Sequence, residues 1–320
     1  MSRLFVNEIK ENEPVRETYR ILEKVLRTNK QNALYLQFTL NDRTGSVSAR
    51  LWNVTEQFAN EFSDGDFVLC EGRAQRFQGN LQIIANKITK VDPNAVSVED
   101  FTTVSDVDVP ALIKRMRDLL QTVSAPELKN LVNAFLTDEV FMERFSRAYA
   151  GVRLHHAYPG GLLVHTVSMM ELAVTVGSLY GRIVKPDLLL VGAFLHDVGK
   201  IYELSEDPVL PVYTDSGQAL GHLYLGAELL ARKIAEVEST TETTFDPKLA
   251  TTLKHLVLSH HGSPEFGSVK PPMTCEALAL HFIDALDAKL NEFHKYIVED
   301  ANVGKTWTNY IPAIERKLMR

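Results

Sequence analysis

Cysteine is almost absent: Cys70 and Cys275 are the only two in 320 residues. Lying far apart and in no CxxC pattern, they exclude a disulfide framework and a thiolate metal site, and a reducing, cytoplasmic setting is expected. An excess of positive charge is also missing, since the formal net charge is −7. A protein that grips duplex DNA by charge alone is therefore excluded, and any nucleic-acid contact must be local and partly non-electrostatic. The start, Met1-Ser-Arg-Leu-Phe-Val-Asn, lacks the basic start and apolar run expected of a signal peptide. Leu188 to Leu195 is the longest apolar run, far short of the ~20 residues of a membrane span, so no membrane partner is expected. No repeat of solenoid period and no low-complexity tail is visible. What remains is the composition of a folded globular chain, 45% hydrophobic and 23% charged, with length for about two domains.

Residues 1–92 read as a small β domain. Glu17 to Thr28 predicts a strand, with Tyr19, Ile21 and Val25 on one face and an imperfect period. Ala33 to Leu40, the turn Asn41-Asp-Arg-Thr-Gly45 and Ser46 to Trp52 predict a hairpin from turn chemistry and spacing. A short helix is expected over Asn53 to Phe62. A strand from Gly65 to Gly72, a turn over Gln75 to Asn80 and a strand from Leu81 to Thr89 complete a second hairpin.

Residues 93–110 have no sustained period and end on Pro110, and they are expected to link the domains. From Ala111 the apolar residues recur three and four apart, as in Leu112, Met116, Leu119, Leu120 and then Leu128, Leu131, Val132, Phe135. Further helices are expected at Asp138 to Tyr149, Gly161 to Tyr180, Asp187 to Val198, Gly221 to Val237, Pro247 to Leu258 and Thr274 to Val298. Residues 111–320 are thus predicted to be all-α. The first 92 residues carry 13 Lys+Arg against 12 Asp+Glu and the remainder 21 against 29, so what cationic character exists leans toward the β domain.

Polar residues interrupt the helical pattern at particular places. Most of the ten histidines fall between His155 and His281. His165 sits in Gly160-Gly-Leu-Leu-Val-His165, and His196-Asp197 closes an apolar run that continues Val-Gly-Lys200. His222, the pair His260-His261, and Asp284 with Asp287 one helical turn on complete the set. Such groups forfeit solvation in a core unless something pairs them, and a metal ion does so.

The order of strand, hairpin, short helix and second hairpin resembles the OB-fold, a five-stranded barrel that commonly binds single-stranded nucleic acid. That resemblance makes Tyr35, Phe38, Trp52 and Phe77 candidates for stacking on bases and Arg50, Arg73 and Arg76 candidates for phosphate contact. Packing in the barrel is the competing role for the aromatic residues. The order His165, His196-Asp197, Asp284 resembles the HD superfamily of metal-dependent phosphohydrolases, a helical-bundle fold. His222 and His260-His261 are similar to the additional ligands of its two-metal members.

With the OB-like domain in front and the run His155-His-Ala-Tyr-Pro-Gly-Gly161, the whole chain resembles the YhaM-type 3′ to 5′ exoribonucleases. The resemblance implies a divalent-metal hydrolase of single-stranded RNA, with single-stranded DNA as a second substrate. One ion would take His165, His196, Asp197 and Asp284, and the other Asp197, His222, His260 and His261. Asp197 would bridge them around an attacking hydroxide, and Lys200 would reach a phosphate oxygen. Imidazole and carboxylate suit Mn, Fe, Co, Ni or Zn, with manganese expected. His155 and His156 are candidate strand contacts, Asp287 a supporting carboxylate and a rival to Asp284, and His281 and His294 structural. A homo-oligomer is expected. The alternative activity is hydrolysis of small nucleotides or cyclic dinucleotides, with the OB domain regulatory.

Overall fold

In the computed structural model, which describes residues 3–77, 80–101, 107–152, 158–207, 211–300 and 304–320, the chain divides into two units. One covers Met1–Val104 and the other Ser105–Asp207 with Pro211–Arg320. In the first, β1 (Pro14–Thr28), β2 (Leu34–Asp42), β3 (Gly45–Trp52), β4 (Phe67–Phe77) and β5 (Asn80–Val91) surround a short helix α1 (Glu56–Asn60) in sequence order. The strands close into a barrel in the order β1-β2-β3-β5-β4. The β3–β5 pair is parallel and its neighbours are antiparallel. This is the five-stranded barrel expected from the spacing.

Two-residue alternation sets its faces. Leu36, Phe38 and Leu40 of β2 and Val47, Ala49 and Leu51 of β3 point inward with Tyr19, Ile21, Val68 and Ile83. Burying each large side chain of this set contributes about 1.5–3 kcal/mol. The register of β1 slips between Leu22 and Val25, where Glu23 has a φ of 52°. That bulge turns Val25 outward and accounts for the imperfect period of the strand.

The turn expected at Gln75 to Asn80 is mostly strand, because Gln75, Arg76 and Phe77 pair with Gln82, Leu81 and Asn80. Polar residues on a barrel's outer face mimic turn composition there. The stretch read as linker stays against the barrel as far as Phe101, which is buried edge-on to Phe67 at 4.7 Å between ring centroids.

The second unit is helical, as the periodicity predicts: α2 (Val109–Leu120), α3 (Pro126–Leu136), α4 (Glu139–Arg147), α5 (Gly161–Tyr180), α6 (Pro186–Leu195), α7 (Lys200–Glu203), α8 (Asp215–Thr241), α9 (Pro247–Ser259) and α10 (Cys275–Glu299). Asp108, Asp138, Thr214, Asp246 and Thr274 each accept a backbone N–H of the first turn of α2, α4, α8, α9 and α10, which satisfies donors the helix itself leaves open. Every residue of α6 from Leu188 to Leu195 is buried, so a helix that is apolar on all sides forms the centre of the unit.

Helix α5 is long and apolar enough by length and composition to cross a bilayer, contrary to the expectation that no stretch qualifies, and half of that window is buried in the fold. Gly, Ser, Thr and His residues interrupt the run to the eye, yet its mean hydropathy stays at 1.5, high enough for a spanning helix. Two helix ends also differ from expectation. Helix α6 stops at Leu195 rather than Val198, followed by a tight turn through residues 196–199. Helix α8 starts at Asp215, six residues before the Gly221 start expected, and Gly221 instead breaks it with a φ of 72°.

Candidate metal centre and nucleic-acid face

Each histidine of the cluster is aimed by what holds the back of its ring. His196 ends α6 and its Nδ1 lies 2.8 Å from the Ala193 carbonyl three residues earlier. His260 repeats this device at the end of α9, with Nδ1 2.8 Å from the Val257 carbonyl. The Nδ1 of His261 meets the Phe266 carbonyl at 2.8 Å, that of His222 meets Glu203 Oε1 at 2.9 Å, and that of His165 meets Asp287 Oδ2 at 2.7 Å. Each of these five Nδ1 atoms faces an oxygen acceptor, which places a proton on Nδ1 and leaves Nε2 of the neutral ring to offer its lone pair inward.

Four of those Nε2 atoms converge on Asp197. Its Oδ2 is 3.4 Å from His196 and 3.7 Å from His165, while Oδ1 is 3.4 Å from His222 and 3.5 Å from His260. Asp284 Oδ1 stands 3.4 Å from His165 Nε2. The Nε2 atoms of His165 and His196 are 3.1 Å apart and those of His222 and His261 are 3.2 Å apart. Two lone pairs at that range repel unless a positive charge, a proton or a metal ion, sits between them.

Asp197 Oδ1 is buried and has no hydrogen-bond partner among the described residues. Three groups of donor atoms lie close enough to share an ion: His165, His196 and Asp284; His196, Asp197 and His260; and His222, His260 and His261. Imidazole and carboxylate without thiolate fit a divalent transition metal.

The electrostatics favour cations here. Burial pushes the Asp197 carboxyl up, but Lys200, His196 and His260 around it outweigh burial and hold it well below the usual carboxylate range. Burial likewise pushes His165 down, yet Asp284 and Asp287 beside it lift it to about 9. The same field that draws a proton onto His165 draws a metal ion in its place. Burial keeps His260 and His261 below the usual imidazole value.

On the barrel, the outer face of β2 and β3 carries Tyr35 opposite Trp52, with ring centroids 4.6 Å apart. Trp52 is 38% exposed and Phe77 47%. Arg50, two residues from Trp52 on the same face, holds its guanidinium 5.3 Å from the Phe77 ring centroid. Two aromatic platforms with a cation between them make a surface suited to stacked bases and a phosphate backbone.

A family model described as the HD domain matches residues 162–289, and one described as an OB-fold nucleic acid binding domain matches residues 22–91. The 3′-5′ exoribonuclease YhaM of Listeria innocua serovar 6a is 34% identical over 264 residues, covering 82% of this chain and 81% of its own. The chain belongs to the YhaM family of 3′-5′ exoribonucleases. Among solved structures, the second OB-fold domain of replication protein A from Methanococcus maripaludis is 20% identical, covering 30% of this chain and 100% of its own, with a TM-score of 0.24. The single-stranded DNA binding protein from Thermus aquaticus is 20% identical, covering 27% and 43%, with a TM-score of 0.24. As an HD protein of the YhaM family with a buried His and Asp cluster, the chain binds divalent metal.

Within this YhaM-family chain the seven residues expected at the metals, His165, His196, Asp197, His222, His260, His261 and Asp284, are brought together. The choice between the two late carboxylates follows from sides of one ring: Asp284 faces His165 Nε2, while Asp287 holds its Nδ1. Lys200, placed at the start of α7, bonds Asp197 Oδ2 at 2.6 Å. His281 braces the loop by meeting the His260 carbonyl through Nδ1, and His294 is exposed.

Phe38 is corrected: it is 1% exposed inside the barrel, on the opposite face of β2 from Tyr35, and cannot stack on a base. Arg73 is exposed, and Arg76 pairs with Glu11 at 3.6 Å. His155 and His156 lie outside the described residues. Sequence reasoning missed Glu203, whose one oxygen holds both the backbone N–H and the ring of His222. No motif marks it. A buried acid four residues after the HD pair's carboxylate's turn, on the four-residue helix that also presents Lys200, is visible only in the fold.

Proposed function

We propose that this chain shortens single-stranded RNA from its 3′ end, with the barrel face holding the strand and the helical unit hydrolysing the terminal phosphodiester. The observation that carries the reading is the double arrangement around Asp197, in which one carboxylate oxygen faces His165 and His196 and the other faces His222 and His260. A carboxylate so placed suits two cations rather than one. His165, His196, Asp284 and Asp197 would hold the first, and His222, His260, His261 and Asp197 the second. Divalent ions in these positions supply Lewis acidity to the phosphoryl group and acidify bound water. Manganese is our choice among imidazole- and carboxylate-binding metals.

The chain's own groups do the rest. Asp287, Glu203 and the carbonyls of Ala193, Val257 and Phe266 keep five imidazoles oriented, so no side-chain entropy is lost when ions bind. Lys200 neutralises Asp197 before loading, and its ammonium is then available to a non-bridging phosphate oxygen. Tyr35, Trp52, Phe77 and Arg50 hold bases and backbone without reading sequence. RNA over DNA follows the named activity of the Listeria relative. The cytoplasm is the proposed compartment and a homo-oligomer the proposed assembly.

Incubation of the purified protein with 5′-labelled single-stranded RNA and Mn²⁺ tests the reading. A ladder shortening from the 3′ end supports it. Intact RNA alongside hydrolysis of a cyclic dinucleotide contradicts it.

A further inference from the structure

The last seventeen residues differ in charge from the unit they end. Residues 304–320 contain Lys305, Arg316, Lys317 and Arg320 against the single acid Glu315, a net of +3. The preceding residues 93–303 carry 17 Lys+Arg against 28 Asp+Glu, a net of −11. The segment is nonetheless ordered against the end of α10. Thr308 N–H donates to the Leu318 carbonyl, Ile311 N–H to the Arg316 carbonyl and Arg320 N–H to the Thr306 carbonyl. Thr308 and Leu318 are buried. The Arg320 guanidinium donates to the Ile297 carbonyl at 2.7 Å and pairs with Asp300 at 3.0 Å.

This small structure presents large rings to water. Trp307 is 52% exposed and Tyr310 56%, although the segment has its own buried anchor in Leu318. Lys305 and Lys317, both exposed, have no ion-pair partner among the described residues. Exposed aromatic faces interleaved with unpaired cations are the composition that single-stranded nucleic acids meet, since rings stack on any base and ammonium groups follow phosphate. A protein partner would favour an apolar centre with few lysines, so the charge decides between the two.

We propose that the carboxy-terminal segment is a second contact for single-stranded RNA, separate from the barrel, that engages the body of the strand while its 3′ end is at the metals. The proposal rests on the exoribonuclease reading for its substrate. Asp284, in the metal cluster, lies fifteen residues before Glu299 at the end of α10, about 22 Å away along the helix at ~1.5 Å per residue. At a stacked rise of ~3.4 Å that distance spans about six nucleotides. Strands of roughly eight or more nucleotides therefore reach Trp307 and Tyr310, and strands of three or four do not.

Only two tryptophans exist in the chain, Trp52 and Trp307, so the full-length Trp52→Phe protein reports on Trp307 alone. Titration with 20-nucleotide oligoadenylate in EDTA, where no hydrolysis occurs, is expected to quench its emission. Trp307→Ala/Tyr310→Ala, otherwise unchanged in sequence, is expected to weaken binding of the 20-mer at least about tenfold, from the loss of two stacked bases. Lys305→Glu/Lys317→Glu is expected to flatten the salt dependence of that binding.

No quenching by the 20-mer, or unaltered affinity in the Trp307/Tyr310 variant, overturns the proposal. Because the binding is read without metal, failure of hydrolysis in Mn²⁺ with quenching intact would count against the exoribonuclease reading and not against this contact.

Discussion

One oxygen of Glu203 accepts both the backbone N–H and the ring Nδ1–H of His222, each at 2.9 Å. Gly221 breaks α8 just before His222, and Glu203 accepts the His222 N–H there while fixing the ring. His222 lowers the Glu203 carboxyl, offsetting the upward push of burial. Glu203→Ala is therefore expected to lower metal affinity by about 10–100-fold, read by calorimetric titration of the metal-free protein. Glu203→Gln is expected to fall between, since its amide oxygen can still accept one bond.

Face alternation on β2 and β3 gives the aromatic residues of these paired strands different fates. Trp52→Ala, on the outer face, is expected to weaken single-strand binding by about 1–3 kcal/mol with little change in stability. Phe38→Ala, inside the barrel, is expected to destabilise the protein by about 3–5 kcal/mol. Fluorescence-anisotropy binding and urea denaturation separate the two, and a Phe38 variant that folds normally but binds weakly would contradict the assignment of faces.

Much of this was legible because its causes are local. Asn41 to Gly45 specified the β2–β3 hairpin, and the histidine and aspartate order marked the cluster before any helix was placed. What was illegible depends on distant partners. Alternation shows that Tyr35 and Phe38 lie on opposite faces of β2, yet which face is inward is decided by the closure of the barrel. Glu203 matters through His222, nineteen residues away. Phe101 reads as linker until Phe67 covers it, and Val25 reads as core until the bulge at Glu23 turns it out.

Asp187 links the start of α6 to the turn before α3. Its Oδ2 accepts from Ser124 N–H, Ser124 Oγ–H and Ala125 N–H at 2.8, 2.7 and 2.9 Å. Burial pushes its carboxyl up, but these bonds outweigh burial and hold it below its ordinary value. Asp187→Ala is expected to cost about 2 kcal/mol at neutral pH. Because the folded pKa is depressed, that contribution is complete above the unfolded value of about 3.9 and is lost as pH falls through the folded one. Denaturation of both proteins at pH 7 and pH 3 checks this, the difference narrowing at the lower pH.

The turn after His196 has no room for a side chain at Gly199. A Cβ there would lie 2.0 Å from the His222 carbonyl oxygen and 2.5 Å from Gly226 N. Gly199→Ala is therefore expected to push the His196-Asp197 turn away from α8, lowering the melting temperature and metal occupancy together. Thermal melts with and without added Mn²⁺ would show the loss.

Asp197 would join two ions, since its Oδ2 lies on the His165 and His196 side and its Oδ1 on the His222 and His260 side. The most direct test is elemental analysis of metal bound per chain in the wild type, His222→Ala and Asp197→Ala, after loading with Mn²⁺ and removal of excess. About two ions are predicted for the wild type, about one for His222→Ala and none for Asp197→Ala, as expected of a bridging carboxylate. An Asp197→Ala protein that keeps one ion at full occupancy, or a wild type that never exceeds one, would contradict it.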